Sequence, residues 1–135
     1  MLGVMEKRVH RRIVGCAAIV LFGCIAPGLT MGAESQVDVS LRVDLRAETA
    51  VVTNNGSETL TLRGWTLVSV TGGQRFTFPD VTLAEGQSVT VTSGSDARHD
   101  PPRFIRWTRR NVWNNDGDPG ELYDAGGALV ARTRG

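Results

Sequence analysis

Residues 37–45 read VDVSLRVDL, and this stretch decides the fold class. Its five apolar positions, Val37, Val39, Leu41, Val43 and Leu45, alternate with Asp, Ser and Arg residues. Successive side chains of a β-strand point to opposite faces, so a strict period of two predicts a strand with one buried face.

Short stretches of the same kind follow to the end of the chain, separated by the turn signals NNGSE, AEGQ and AGG. Gly72 and Gly73 lie between WTLVSVT and QRFTF, and two adjacent glycines that accept positive φ predict a hairpin. No window of a dozen residues shows apolar positions at helical spacing. We therefore predict an all-β domain over residues 34–135, a sandwich of eight to ten short strands.

The first 33 residues have a different composition. Lys7, Arg8, Arg11 and Arg12 precede the uncharged segment 13–33, whose continuous apolar part ends before Pro27. A basic region, a short apolar core and a small-residue exit are typical of a secretory signal peptide. The apolar part is shorter than the roughly 20 residues of a spanning helix, which favours a signal peptide over an uncleaved anchor.

Two ways of processing this leader remain open. Met31 to Ala33 form only half of a small-x-small cleavage site, whereas LFGC at 21–24 is similar to a bacterial lipobox and makes Cys24 a lipidation candidate. We expect the remainder of the chain to be exported, either secreted or attached to the outer face of the cytoplasmic membrane. From residue 34 the chain holds eleven arginines, thirteen acidic residues and no cysteine, so its net charge is −2 and no disulfide can form there.

The stretch NNGSETLTLRGWTLVSVTGGQRFTFPDVTLAEGQSVTV, together with later positions, resembles the lamin tail domain family. The resemblance covers roughly residues 37–132 and implies an immunoglobulin-like β-sandwich that serves as an interaction module. The positions that carry it are Asn54, Gly56, Leu62, Gly64, Trp65, Thr66, Leu67, Phe78, Pro79, Leu83, Gly86, Trp107, Trp113, Asn114, Asn115, Leu122, Tyr123, Asp124 and Gly127.

Residues 113–124, WNNDGDPGELYD, raise the question of catalysis. Asn114, Asp116 and Asp118 alternate as calcium ligands would, but Pro119 and Ala125 stand where an EF-hand loop needs Gly and Glu. Paired carboxylates for acid–base work would need contrasting environments, and we expect these carboxylates to be exposed. Asn, Asp, Gly and Pro in this order are typical of a turn, which is the interpretation we favour.

Other catalytic chemistry finds little support outside the leader. His99 is the one histidine there, in a polar loop beside Asp100, and Cys and Lys are absent. A zinc site needs a cluster of His or Cys that this composition does not supply. We therefore predict a protein that is not an enzyme and has no cofactor or metal.

The segment 98–110, ARHDPPRFIRWTRRN from residue 97 to 111, interleaves arginines with Phe104 and Trp107. Arginine beside aromatic rings suits phosphate contacts and stacking, so the candidate binding residues are Arg103, Arg106, Arg109 and Arg110. The alternative is an arginine-rich sheet edge that discourages strand-to-strand aggregation.

Two functions remain in view. The first is a non-catalytic, exported interaction or tethering module at the bacterial cell envelope, with an envelope protein or glycan as partner. The second is a small protein that binds nucleic acid or another polyanion through the segment 98–110. A net charge of −2 weighs against a dedicated nucleic-acid binder.

Overall fold

The computed structural model describes residues 5–13 and 35–134, and all described regular structure is β. The strands are β1 Met5–Ile13, β2 Ser35–Asp44, β3 Thr49–Asn54, β4 Leu60–Thr61, β5 Thr66–Ser69, β6 Gln74–Thr77, β7 Thr82–Leu83, β8 Ser88–Thr92, β9 Phe104–Arg106, β10 Gly120–Tyr123 and β11 Leu129–Arg134. The ten strands from β2 to β11 confirm the predicted all-β domain. Within the described ranges no helix is long and apolar enough to cross a membrane.

Two four-stranded sheets form the body of the domain. Sheet A has the order β6-β5-β10-β11 and sheet B the order β2-β3-β8-β9, while β4 and β7 make a separate short pair. All pairings are antiparallel except that of β8 with β9. The arrangement is consistent with an immunoglobulin-like sandwich, whose inner faces bury the alternate residues of each strand.

The strand β1 joins the two sheets. Its first part pairs with β11, Met5 opposite Arg134, and its second part pairs with β2, Val9 opposite Val39. The sequence does not predict this strand, because residues 5–13 have the composition of the basic start of a leader. The leader prediction concerns export and processing, and it stays a prediction. The apolar segment 14–33, with Cys24, lies outside the described residues.

The core follows the period of two that the sequence shows. Val39, Leu41 and Val43 of β2 are buried, as are Val52 of β3 and Val89 and Val91 of β8. Leu67, Leu122 and Val130 bury the inner face of sheet A. Each fully buried aliphatic side chain stabilises the fold by roughly 1.5–3 kcal/mol, so a core of this kind holds the domain without a disulfide.

A row of aromatic rings closes the side of the sandwich where β6 and β9 are the outermost strands. Phe76 contacts Phe78 with ring centroids 5.1 Å apart, and Trp107 lies 5.6 Å from Phe76 and 6.0 Å from Trp113. Phe76 belongs to sheet A, and Trp107 directly follows the edge strand of sheet B. The row therefore fixes one sheet edge against the other.

Gly120, the first residue of β10, packs closely against core side chains. A Cβ atom built there would come within 2.9 Å of Val43 Cγ2 and 3.4 Å of Leu41 and Trp113, whereas one at Gly126 meets nothing closer than 3.5 Å. We expect Gly120→Ala to lower the free energy of unfolding by about 1–3 kcal/mol through overpacking. Gly126→Ala is the matched control and should change it by less than about 0.5 kcal/mol. Equal urea midpoints for the two variants would contradict this packing.

Candidate functional site: two buried carboxylates and an arginine-rich edge

The stretch 113–124 folds as the predicted turn. Asn114 accepts hydrogen bonds at Oδ1 from the amide of Asp116, 2.9 Å away, and at its carbonyl from the amide of Gly117, 3.0 Å away. Gly117 has a φ of 134°, a conformation that an L side chain rarely adopts. The turn interpretation of this sequence is therefore confirmed.

Asp118, however, is not the exposed carboxylate that the sequence analysis expected. It is fully buried and accepts hydrogen bonds at Oδ2 from Ser69 Oγ (2.7 Å) and the Asn114 amide (3.1 Å), and at Oδ1 from the Thr71 amide (2.9 Å). The expectation was wrong because the donors Ser69, at the end of β5, and Thr71, just after it, are distant in sequence, and a local turn pattern carries no sign of them. The carboxylate ties the turn to sheet A.

Glu48 makes a corresponding set of contacts from sheet B. It ends the turn between β2 and β3, is buried, and has a φ of 59°. Its Oε1 accepts from the Val112 amide and from Ser93 Oγ, each at 2.7 Å, and its Oε2 accepts from the Trp113 amide at 3.1 Å. A left-handed backbone at a non-glycine residue costs free energy, and these charge-assisted hydrogen bonds offset that cost.

Together these two residues form what we call the carboxylate clamp, Glu48 and Asp118. Three successive backbone amides, those of Val112, Trp113 and Asn114, donate to the clamp. The clamped segment lies between β9 of sheet B and β10 of sheet A, so one carboxylate holds it to each sheet. A buried backbone amide without an acceptor costs about 1–3 kcal/mol. The clamp supplies acceptors for the buried amides of Val112 and Trp113 and for the partly buried amide of Asn114.

The carboxylate oxygens of the clamp are all hydrogen-bonded within the protein. Every carboxylate oxygen of Glu48 and Asp118 accepts a hydrogen bond from the protein, and both side chains are buried. Among the described residues no group of three His, Cys, Asp or Glu side chains is placed to hold a metal ion. The arrangement is that of a structural clamp.

The turn offers a matched pair of aspartates for a stability test. We expect Asp118→Ala to lower the free energy of unfolding by about 3 kcal/mol, because two partly buried amide hydrogen bonds and that of the Ser69 hydroxyl lose a charged acceptor. Asp116→Ala, in the same turn but exposed, should stay within about 0.5 kcal/mol of the parent. Urea unfolding followed by tryptophan fluorescence measures both, and an equal loss in the two variants would disprove the clamp.

The segment 98–110 lies at the edge of sheet B. Arg103, Arg109 and Arg110 are exposed, and Arg106, in β9, is half-buried. The Arg98 guanidinium carbon lies 4.2 Å from the centroid of the Phe104 ring, in cation–π contact. The structure thus places Arg103 directly before β9, Arg106 in it, and Arg109 and Arg110 in the segment that follows it.

The outer edge of β9 is not open to another strand. The amide of Phe104 donates to the Asp100 carbonyl (3.0 Å), and the amide of Asp100 donates to the Phe104 carbonyl (2.8 Å). The amide of Arg106 donates to Nδ1 of His99 at 3.2 Å. His99 therefore accepts a hydrogen bond that caps the edge, a role the sequence analysis did not assign, and the loop blocks strand addition here.

Comparison with known families identifies the domain. The family model described as Lamin Tail Domain matches residues 32–134. The chain belongs to the lamin tail domain family. A search of curated proteins found no match to the chain.

The structure gives physical reasons for several of the family-like positions. Asn54 is buried, donates from Nδ2 to the carbonyls of Glu58 (2.8 Å) and Leu83 (3.0 Å), and accepts at Oδ1 from the Gly56 amide. Asp124 accepts at Oδ1 from the amides of Gly126 and Ala128, which closes the β10–β11 hairpin. These polar residues of the lamin tail domain hold turns.

Tyr123, on β10, donates a 2.6 Å hydrogen bond to Oε1 of Glu121, and Oε2 of Glu121 lies 3.6 Å from Arg132 Nε. The hydrogen bond to Glu121, together with burial and the negative charge of Glu121, raises the pKa of Tyr123 above its ordinary value. Since the raised pKa favours the neutral phenol in the folded state, this contribution to stability is complete below the ordinary pKa. It is lost as pH rises through the folded pKa.

Tyr123 is the one tyrosine of the chain, so absorbance at 295 nm reports its ionisation alone. We expect a higher midpoint in the folded protein than in the urea-unfolded chain. Glu121→Ala should lower the folded midpoint, whereas Glu85→Ala, at an exposed turn residue, should leave it unchanged. A folded midpoint equal to the unfolded one would contradict the hydrogen bond.

Proposed function

We propose that this lamin tail domain is an exported, non-catalytic module that tethers partners at the bacterial cell envelope. The observation that carries the proposal is family membership over residues 32–134, since this is a non-enzymatic, immunoglobulin-like domain family. The carboxylate clamp supports the non-catalytic part. Its buried acids, which resemble catalytic residues by composition, are occupied by the backbone.

The export part of the proposal rests on the leader. Four cations before an uncharged apolar segment match the order that a secretion signal needs. Processing at Cys24 would attach the domain to the membrane by lipid, whereas cleavage near Ala33 would release it, and both outcomes place it outside the cytoplasm. An exported partner, a protein or a glycan of the envelope, follows from that location.

Export is tested with the full chain expressed in a bacterium that is then converted to spheroplasts. We expect added protease to digest the domain while the cells remain intact. Arg8→Glu, Arg11→Glu and Arg12→Glu together reverse the charge of the basic region and should leave the domain inside and protected. If the unmodified chain resists added protease as completely as a cytoplasmic marker does, export is contradicted.

A second candidate function is polyanion binding by Arg103, Arg106, Arg109 and Arg110. The observation in its favour is that three of these four side chains are exposed on one sheet edge beside the Arg98–Phe104 pair. The net charge of −2 from residue 34 onward opposes it, because non-specific nucleic-acid binding depends on a net attraction to phosphate.

Fluorescence anisotropy with labelled DNA and RNA at two salt concentrations separates the two functions. We expect no binding that weakens with salt. The variant Arg103→Ser, Arg106→Ser, Arg109→Ser and Arg110→Ser is compared with one that removes four exposed arginines elsewhere, Arg42→Ser, Arg46→Ser, Arg63→Ser and Arg75→Ser. Salt-sensitive binding lost only in the first variant would establish the polyanion function instead.

A further inference from the structure

The two sheets end differently on the side where β6 and β9 are the outermost strands. At β9, the preceding loop bonds to the outer backbone groups of Phe104 and Arg106. Strand β6, Gln74–Thr77, is the corresponding edge of sheet A. An edge strand presents a row of backbone groups to which another strand can pair. We call the outer side of β6 the open edge.

The hydrogen bonds between β5 and β6 show which backbone groups belong to the open edge. The amide of Phe78 donates to the Trp65 carbonyl at 2.8 Å, on the β5 side. Successive residues of an antiparallel strand direct their backbone groups to opposite sides, so those of Arg75 and Thr77 point away from sheet A. Within residues 35–134, no loop residue forms a hydrogen bond with these outward groups.

The side chains along β6 give the open edge an apolar contact on one face and a charged contact on the other. The register pairs Phe76 with the buried Leu67, so Phe76 lies on the inner face of sheet A. It is half-buried, as is Trp107, whose ring centroid lies 5.6 Å away. Arg75 and Thr77 lie on the outer face and are exposed. An added strand therefore meets two aromatic rings inside and a cation outside.

Strand alternation determines the residue types that suit the open edge. In an antiparallel occupant, three consecutive residues stand opposite Thr77, Phe76 and Arg75, and cross-strand partners share a face. The first and third residues of the occupant are then on the outer face, and the second is on the inner face. The matching residues are polar, apolar and acidic, in that order.

A second copy of the chain matches the open edge less well. Strand β6 reads QRFT and carries no acidic residue, so a second β6 brings no negative charge to Arg75. A register that placed the two copies of Arg75 opposite each other would be destabilising, because like charges would stand directly across the strand pair. The charge of this edge therefore favours an acidic segment of a different protein.

We propose that the open edge binds an extended segment of another protein with the pattern polar-apolar-acidic, by antiparallel strand addition to β6. Main-chain hydrogen bonds to Arg75 and Thr77 provide affinity. Contacts of the apolar residue with Phe76 and Trp107, and of the acidic residue with Arg75, provide selectivity. The inference rests on the proposed tethering function for the location of the partner, which is then an exported protein.

A peptide titration followed by NMR tests the open edge on the purified, isotopically labelled full chain. The probe is the heptapeptide Gly-Ser-Thr-Val-Glu-Ser-Gly, whose central Thr-Val-Glu carries the pattern. Two control peptides are N-methylated, one at the glutamate and one at the valine. The glutamate stands opposite Arg75 and its amide bonds to β6, whereas the amide of the valine points away from β6.

We expect the amide protons of Arg75 and Thr77 to move downfield and to exchange more slowly as the peptide is added, because they gain acceptors. N-methylation of the glutamate should weaken binding by about tenfold, the loss of roughly one hydrogen bond. N-methylation of the valine should change it by less than about twofold.

Charge reversal tests the side-chain part of the pattern. Arg75→Glu should weaken binding of the peptide by about fivefold, and a peptide with lysine in place of its glutamate should recover that loss. Arg46→Glu, at an exposed arginine in the turn between β2 and β3, is the matched control and should leave binding unchanged. Thr77→Pro removes an outward amide that β5 does not use and should abolish binding. Near-ultraviolet circular dichroism verifies that each variant is folded.

Unchanged amide shifts at Arg75 and Thr77 up to about 1 mM peptide would overturn the inference. An equal loss of binding for the two N-methylated peptides would also overturn it. So would dimerisation of the full chain that Thr77→Pro prevents, because a second copy would then be the occupant. These measurements do not depend on export. Failure of the spheroplast experiment alone would contradict the proposed function and leave the open edge as a binding site.

Discussion

The rest of the domain depends on two buried carboxylates that capture consecutive backbone amides. Glu48 binds the amides of residues 112 and 113, and Asp118 binds that of residue 114. The segment they hold is the crossing from sheet B to sheet A. Because Trp113 is buried beneath this crossing, the clamp also fixes the inner end of the aromatic row. The carboxylate clamp thus holds both the segment that connects the two sheets and the buried ring of Trp113.

This clamp gives the deepest acids near an acidic, turn-rich stretch a structural role. The acids that lie deepest are fully engaged with the protein, and the other polar residues at family-like positions, Asn54 and Asp124, hold turns. The edge of β9 is capped by its own loop.

Much of the fold could be predicted from the sequence, because alternation in residues 37–45 and the Gly72-Gly73 turn are local signals. The location of the arginine-rich edge could also be predicted, since Arg103 and its neighbours surround a short strand in the sequence. The clamp was not, because the residues that Glu48 and Asp118 join lie up to 65 positions apart. Nor was β1, since its residues show the charge pattern of a leader and no alternation of period two.

Amide hydrogen exchange at residues 112, 113 and 114 tests the clamp most directly. If the two carboxylates integrate the crossing into the core, these three amides will exchange only through global unfolding, as slowly as Val52 and Val91 in the central strands. Protection at residues 112 and 113 should fall when Glu48 is replaced by alanine, because their amides lose their acceptor, with Val52 changing only as global stability changes. Rapid exchange at the three amides in the unmodified protein would show that the crossing opens locally and would contradict the account.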